Sequence, residues 1–223
     1  PCGTLFPYTT LFRSEMFRPL PGDRRAVFGE RISESDIVLL YAGRLSEEKG
    51  VFDLPGIMAS LDRSGVNIRL VIAGTGPAQD RLKALLPEAL FLGWVERSDM
   101  PALYSRTDLL VLPSRFDTFG NVILEAMSCG AAVAAYAEKG PLEIIQTREN
   151  GILAEDPAGL ANSIVRFARD ETFRHALKKN SLIRANAFSR EAIFEAFLTD
   201  LGLTDHLSAP LSKTETMKAA IGY

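Results

Sequence analysis

"IVLLYAGRLSEEKG" (37–50) opens with six apolar residues in a row, ends that run on a glycine, and passes through a charged loop to a second glycine. A half-buried strand would alternate apolar and polar positions. A run that is apolar throughout predicts a short strand covered on both faces. The same signature recurs downstream in "NIRLVIAG" (67–74), "ALFLGWV" (89–95), "DLLVLPS" (108–114), "AAVAAYA" (131–137) and "GILAE" (151–155). Amphipathic segments near 53–64, 78–86, 99–106, 120–129 and 141–147 separate these runs. Strands joined through helices of that length lie parallel with right-handed crossovers. The expected fold class is therefore α/β: a doubly wound, Rossmann-like parallel sheet of about six strands.

Outward from this centre the chain changes character. Residues 15–36 form a Pro-rich linker and a short charged helix candidate, and 37–203 is the sheet domain. The pattern turns purely helical over 157–170, 171–186 and 190–202, while 204–223 has no period and is expected to be loosely ordered. Near the start, "TLFPYTTLFRS" (4–14) has neither helical period nor alternation, and Pro7 would interrupt a strand. It lacks the basic region, apolar core and cleavage site of a signal peptide. Back-translated with one codon choice, it matches a widely used short-read sequencing adapter codon by codon. Residues 1–14 are thus expected to be adapter-derived and are set aside in fold reasoning. The natural sequence is then expected to begin near Glu15, in the middle of a reading frame, with an N-terminal part missing.

Composition narrows the function. At 47% hydrophobic and 24% charged, the chain is ordinary globular material. A formal charge of −3 gives no nucleic-acid footprint. The basic pairs Arg24-Arg25 and Lys178-Lys179 read as solvated faces. The longest apolar runs, 37–43 and 131–137, are strand-sized and far below a membrane span. With Cys2 in the excluded segment, Cys129 stands alone and cannot form an internal disulfide, so a reducing, cytoplasmic location is expected. Metal-ligand spacing is absent, and His175 and His206 are isolated in polar surroundings.

Ligands of an open parallel sheet bind outside the carboxyl ends of its strands. The loop after 37–42 offers Gly43, Arg44, Lys49 and Gly50. A guanidinium fork and a compact ammonium suit a diphosphate, at roughly 1.5–3 kcal/mol for each charge-assisted hydrogen bond. Equally, it is a charged loop with Glu47 and Glu48 as salt-bridge partners. "AGTGPAQDRL" places Gly74 and Gly76 at the next strand end, where glycine permits close backbone approach. Gln79 holds the last position of a GxGxxG pattern, so dinucleotide binding is not supported. In "PSRFDTFGNVILEAMSCG" (113–130), the N–H groups of Phe119, Gly120, Asn121 and Val122 are expected to head a helix and attract phosphate. Asp117 precedes that helix and Glu125 lies along it. Their acceptors suit sugar hydroxyls and a ribose diol, or else they are a helix cap and a surface carboxylate.

In this order, strand-GR(x4)KG, strand-GxGP, "FLGWV" and "PSRFDTFGNVILEAMSCG" resemble the C-terminal, donor-binding domain of GT-B glycosyltransferases. More narrowly, they resemble the retaining, family 4-like class called glycosyl transferases group 1. The resemblance covers roughly 17–203, and "FRPLPGDR" is similar to the linker that enters this domain. It implies that Arg44 and Lys49 neutralise the donor diphosphate as it leaves, and that the backbone at Trp94 and Val95 meets the nucleotide base. It also implies that Glu125 holds the ribose and that the turn from Phe119 to Val122 contacts sugar and phosphate. Asp117 stands where the family's E-x7-E pattern usually has Glu, and Pro55-Gly56 is a second departure, accommodated if Asp53 caps the helix with Pro55 in its first turn.

Such an enzyme needs no metal or cofactor, because Arg44, Lys49 and the helix terminus do the electrostatic work. It transfers a hexose with retention of configuration, the leaving phosphate oxygen assisting acceptor deprotonation, with Asp117 as a positioning group. The resemblance implies a GDP-sugar or UDP-sugar donor, GDP-mannose first, and a glycan or lipid-linked acceptor. The acceptor domain would lie in the missing N-terminal part, along with any peripheral membrane contact, leaving this chain able to bind donor but not to transfer. An epimerase of the same architecture and a non-catalytic nucleotide-binding module are the alternatives.

Overall fold

Each apolar run predicted as a strand is a strand in the structure, a computed structural model that describes residues 15–116 and 120–200. Helix α1 (Arg24–Phe28) precedes β1 (Ile37–Ala42), and α2 (Leu54–Arg63) leads to β2 (Ile68–Ala73). Next come α3 (Gln79–Leu85), β3 (Leu90–Gly93), α4 (Met100–Ser105) and β4 (Leu109–Leu112). Then α5 (Asn121–Ser128), β5 (Ala132–Tyr136), α6 (Lys139–Ile144) and β6 (Ile152–Ala154) complete the alternation. Three helices follow: α7 (Pro157–Arg169), α8 (Glu171–Asn186) and α9 (Arg190–Asp200). The strand order is β3-β2-β1-β4-β5-β6 and every neighbouring pair is parallel. The order reverses between β1 and β4, so the crevice for a ligand is expected above those two strands.

The apolar runs make a sheet because both faces are covered. Leu39, Tyr41, Ile72, Val111 and Ala134 face a core closed by Ile57, Leu61, Leu82, Ile164 and Phe167 of α2, α3 and α7. The alternate residues Val38, Leu40, Val71, Leu110 and Val133 face Leu103, Tyr104, Ile123 and Met127 of α4 and α5. Each large side chain taken out of water here contributes roughly 1.5–3 kcal/mol. Phe17, Phe28 and Ile32 join this second core, so the segment before β1 is packed structure and not only a linker. The Leu20 amide donates to Ser105 Oγ at 3.0 Å.

Three local expectations change. Arg24 and Lys178 are not solvated: they converge on buried Asp108, at 2.7 and 3.0 Å, and the Val38 amide donates to the same carboxylate at 2.9 Å. Helix α6 lies two or three residues earlier than the 141–147 segment, because the chain turns extended at Ile145 and Thr147 bridges back to Gly151. Pro55 does lie in the first turn of α2, but Asp53 makes no capping bond; its Oδ2 accepts from the Tyr136 hydroxyl at 2.6 Å. The expectations for 1–14 and 204–223, His206 included, fall outside the described residues. Among the described residues no helix is long and apolar enough to cross a membrane.

Candidate functional site

The loops after β1 and β2 are laced together by backbone. The Gly43 amide donates to Ala73 O, Leu45 to Thr75 O and Ala78 to Leu45 O, each at 3.0 Å. A Cβ on Gly74, whose φ is +137°, would sit 1.9 Å from Gly43 O, and one on Gly76 would sit 2.3 Å from Leu45 O. The close approach foreseen for these glycines is thus between two protein loops. The Tyr41 hydroxyl donates to Arg44 O at 2.8 Å, which fixes the Arg44 backbone while its side chain stays exposed.

A cavity of about 490 Å³ opens at the carboxyl ends of β1, β2 and β3. Gly43 and Arg44 form one wall, the 74–77 loop the next, and Trp94 and Val95 the third. Met100 and Tyr104 of α4, with Val122 and Glu125 of α5, close it. Seven predicted residues therefore come together: Gly43, Arg44, Gly74, Trp94, Val95, Val122 and Glu125. Lys49, Gly120 and Asn121 do not line this cavity. Lys49 ends a short turn of 3-10 helix (Glu47–Lys49), and the next residue, Gly50, has no room for a Cβ, which would lie 1.7 Å from Pro113 O. Gly120 heads α5 in the left-handed region at φ 60°, and its carbonyl accepts from Ile123 and Leu124. The Asn121 and Val122 amides thus come at the start of the helix, before any intrahelical acceptor is available to them. Asp117 and Phe119 lie outside the described residues.

Glu125 is no surface carboxylate. It is 7% exposed, its Oε1 accepts from Arg97 Nη2 at 2.9 Å and its Oε2 from the Tyr104 hydroxyl at 3.5 Å. Burial raises its carboxyl above the ordinary range, and the Arg97 charge pulls it back part of the way. The Tyr104 hydroxyl is pushed well up, first by burial and then by Glu125. Buried Cys129, one turn on along α5, has its thiol pushed up to about 12, mainly by burial.

A family model described as "Glycosyl transferases group 1" matches residues 23–183. The chain belongs to the glycosyl transferases group 1 family. The uncharacterized glycosyltransferase MJ1607 of Methanocaldococcus jannaschii is 33% identical to it over 159 residues, 67% of this chain and 40% of that protein. A GDP-mannose-dependent alpha-mannosyltransferase of Corynebacterium glutamicum is 35% identical over 115 residues, 52% of this chain and 27% of that protein. Among solved structures, sucrose-phosphate synthase from Thermosynechococcus elongatus superposes with a TM-score of 0.72 at 27% identity, over 86% of this chain and 51% of that one. The chain thus spans about half the length of that neighbour and less of the two relatives. The six-stranded parallel sheet with flanking helices is the architecture of its GT-B glycosyltransferase neighbours.

In this group 1 glycosyltransferase chain the cavity also uses residues that motif reading passed over. Tyr104 and Met100 reach it from α4, and Arg97 reaches Glu125 from the loop after β3. Phe17 stands behind them, its ring 5.4 Å from the Arg97 guanidinium and 6.1 Å from the Tyr104 ring. The available signal was Tyr104 on the apolar face of a short helix following a strand end. Nothing in its spacing pointed to Glu125.

Proposed function

We propose that this glycosyltransferase chain is the donor-binding part of a retaining hexosyltransferase, and that its cavity takes the nucleoside diphosphate of a nucleotide sugar. The observation that carries this is the meeting of Arg44, Gly74, Trp94, Val95 and Glu125 around one space at the carboxyl ends of β1, β2 and β3, on the β1 side of the point where the strand order reverses. The base lies against the Trp94–Val95 backbone, the ribose hydroxyls donate to Glu125, and the diphosphate meets Arg44 and the start of α5. Charge-assisted bonds to Arg44 contribute roughly 1.5–3 kcal/mol each, and the helix terminus about 0.3–1 kcal/mol.

In the transfer step the bond between the anomeric carbon and the diphosphate oxygen breaks, and the acceptor oxygen bonds to the same face of the sugar. The acceptor proton passes to the departing phosphate oxygen. Arg44 stabilises the charge that builds on the diphosphate, so the reaction proceeds without a divalent metal. Since Arg44 lines the cavity and Lys49 does not, Arg44 carries more of the nucleotide affinity than Lys49. The mannosyltransferase relative supports GDP-mannose as the first donor to try, with UDP-hexoses next. The acceptor, a glycan or lipid-linked precursor, binds to a second domain outside this chain, which alone transfers negligibly.

The experiment is calorimetric titration of residues 15–223 with GDP, UDP and ADP in the absence of metal. One nucleotide is expected to bind, at least about tenfold more weakly after Arg44→Ala and with a smaller loss after Lys49→Ala, since tenfold corresponds to about 1.4 kcal/mol. Binding indifferent to Arg44→Ala would refute the assignment.

A further inference from the structure

Arg97 ties the cavity carboxylate to the segment that precedes the sheet. On one side its Nη2 lies 2.9 Å from Glu125 Oε1, and on the other its guanidinium lies 5.4 Å from the centre of the Phe17 ring. Phe17 is 2% exposed and packs on Tyr104, whose hydroxyl donates to the second Glu125 oxygen at 3.5 Å. A single cation is therefore clamped between an aromatic face and a buried carboxylate that lines the cavity. Guanidinium groups suit such a place, since they stack on rings and present a planar fork of donors to a carboxylate.

We infer that Arg97 is a positioning residue for the donor site: backed by Phe17, it orients Glu125 and keeps it charged, so that the remaining lone pairs of the carboxylate can accept the ribose hydroxyls. The inference rests on the donor site proposed above. An ionised carboxylate offers about four acceptor positions, of which Arg97 and Tyr104 occupy two. A protonated carboxyl would present an O–H in place of one of the remaining acceptors, which suits a diol donating twice less well. Burial works toward that protonated form, and the Arg97 charge works against it. The other groups facing Glu125 are the Tyr104 hydroxyl from α4 and the Cys129 thiol on its own helix, both neutral at physiological pH. Arg44 lines the same cavity from the loop after β1. Among the described residues, the ion pair with Glu125 is made by Arg97.

The test uses the whole chain with its glutamate carboxyls labelled with carbon-13, the Glu125 resonance being assigned with Glu125→Gln. Arg97 is largely exposed, at 62% of its side chain, so Arg97→Gln leaves the fold intact. It is expected to raise the Glu125 titration midpoint by about one unit or more, and Arg97→Lys to restore most of the difference. Phe17→Leu, which keeps apolar bulk and removes the ring face, shifts the midpoint less and in the same direction. In parallel, GDP and UDP are titrated at about pH 8 and about pH 5.5. Protonation of the terminal phosphate affects both proteins alike, so the readout is their difference: Arg97→Gln is expected to lose more affinity on acidification than wild type, by up to about tenfold for a one-unit rise in the Glu125 midpoint. A Glu125 midpoint unmoved by Arg97→Gln, or a pH profile parallel to wild type, would overturn the inference. If Glu125 moves as expected but wild type takes up neither nucleotide, it is the donor-site assignment that fails, and the hold of Arg97 on Glu125 stands.

Discussion

Gly74 and Gly56 have opposite needs. At Gly74 the backbone is at φ +137° and an added Cβ would lie 1.9 Å from Gly43 O, a backbone atom that cannot yield without parting the two loops that wall the cavity. Gly56, in the first half of α2, has nothing within 4 Å of an added Cβ. Gly74→Ala is therefore expected to destabilise by more than about 2 kcal/mol, and Gly56→Ala to stabilise by about 0.4–1 kcal/mol, since alanine there only restricts the unfolded chain. Urea unfolding of both variants checks the contrast. Equal effects would mean that close loop contact is not what Gly74 provides. Both glycines were legible as letters. What each glycine accommodates became visible only with the neighbouring loop in place.

Helix boundaries show where local signals prevail and where they lose. Asp170 closes α7 with its amide, which donates to Arg166 O at 2.9 Å, and opens α8 with its carboxylate, which accepts from the Phe173 amide at 2.9 Å. Asp156 caps α7 in the same manner, accepting from Gly159 at 2.7 Å. Asp170→Ala is expected to cost about 1–2 kcal/mol and Asp170→Asn much less, because the amide oxygen still accepts. Thermal or urea melts of the pair decide it, and an alanine as stable as the asparagine would deny the cap. Asp53 carries the same local signal ahead of α2. There a tertiary partner wins: the Tyr136 hydroxyl on β5 takes the carboxylate, and the hydroxyl is pushed up first by burial and then by Asp53. A cap is a choice among acceptors, and only the packed sheet presents Tyr136.

For the whole molecule, two buried carboxylates make stability depend on pH in opposite senses. Asp36 is held below its ordinary value of 3.8 in spite of burial, because the Ser33 amide donates at 2.7 Å, Asn67 at 2.8 Å, and Arg69 lies 3.8 Å away. A depressed folded value means that its stabilising contribution is complete above about pH 4 and is lost as the pH falls through the folded value. Glu125 acts in the opposite sense: with its carboxyl raised, burial of its charge costs stability at neutral pH, and protonation relieves that cost. Asp36→Asn is expected to be less stable than wild type at neutral pH, with the gap closing as acid is added below about pH 4. A gap that stays constant down to the acid transition would remove Asp36 from the account. Buried Asp108, directly before β4, is met by Arg24 from before β1 and Lys178 on α8, distant parts of the chain.

The sequence by itself determined the strands, the helices between them, their parallel sense and the end of the sheet at which the cavity opens. These follow from periodicity and composition over a few residues, which hold wherever the segment lies. It also supplied Arg44 from a strand-end loop and Glu125 from the helix that follows one, while Trp94 and Val95 came with the resemblance to the GT-B donor domain. The tertiary structure decided which of them share a space, leaving Lys49, Gly120 and Asn121 outside the cavity wall. It made Glu125 a buried partner of Arg97 and Tyr104, and turned Arg24 and Lys178 from solvated charges into partners of Asp108. The physical reason is that a side chain's partner depends on strand order and crossover, which bring Arg97 and Glu125 together from 28 residues apart. No spacing within either segment carries that information.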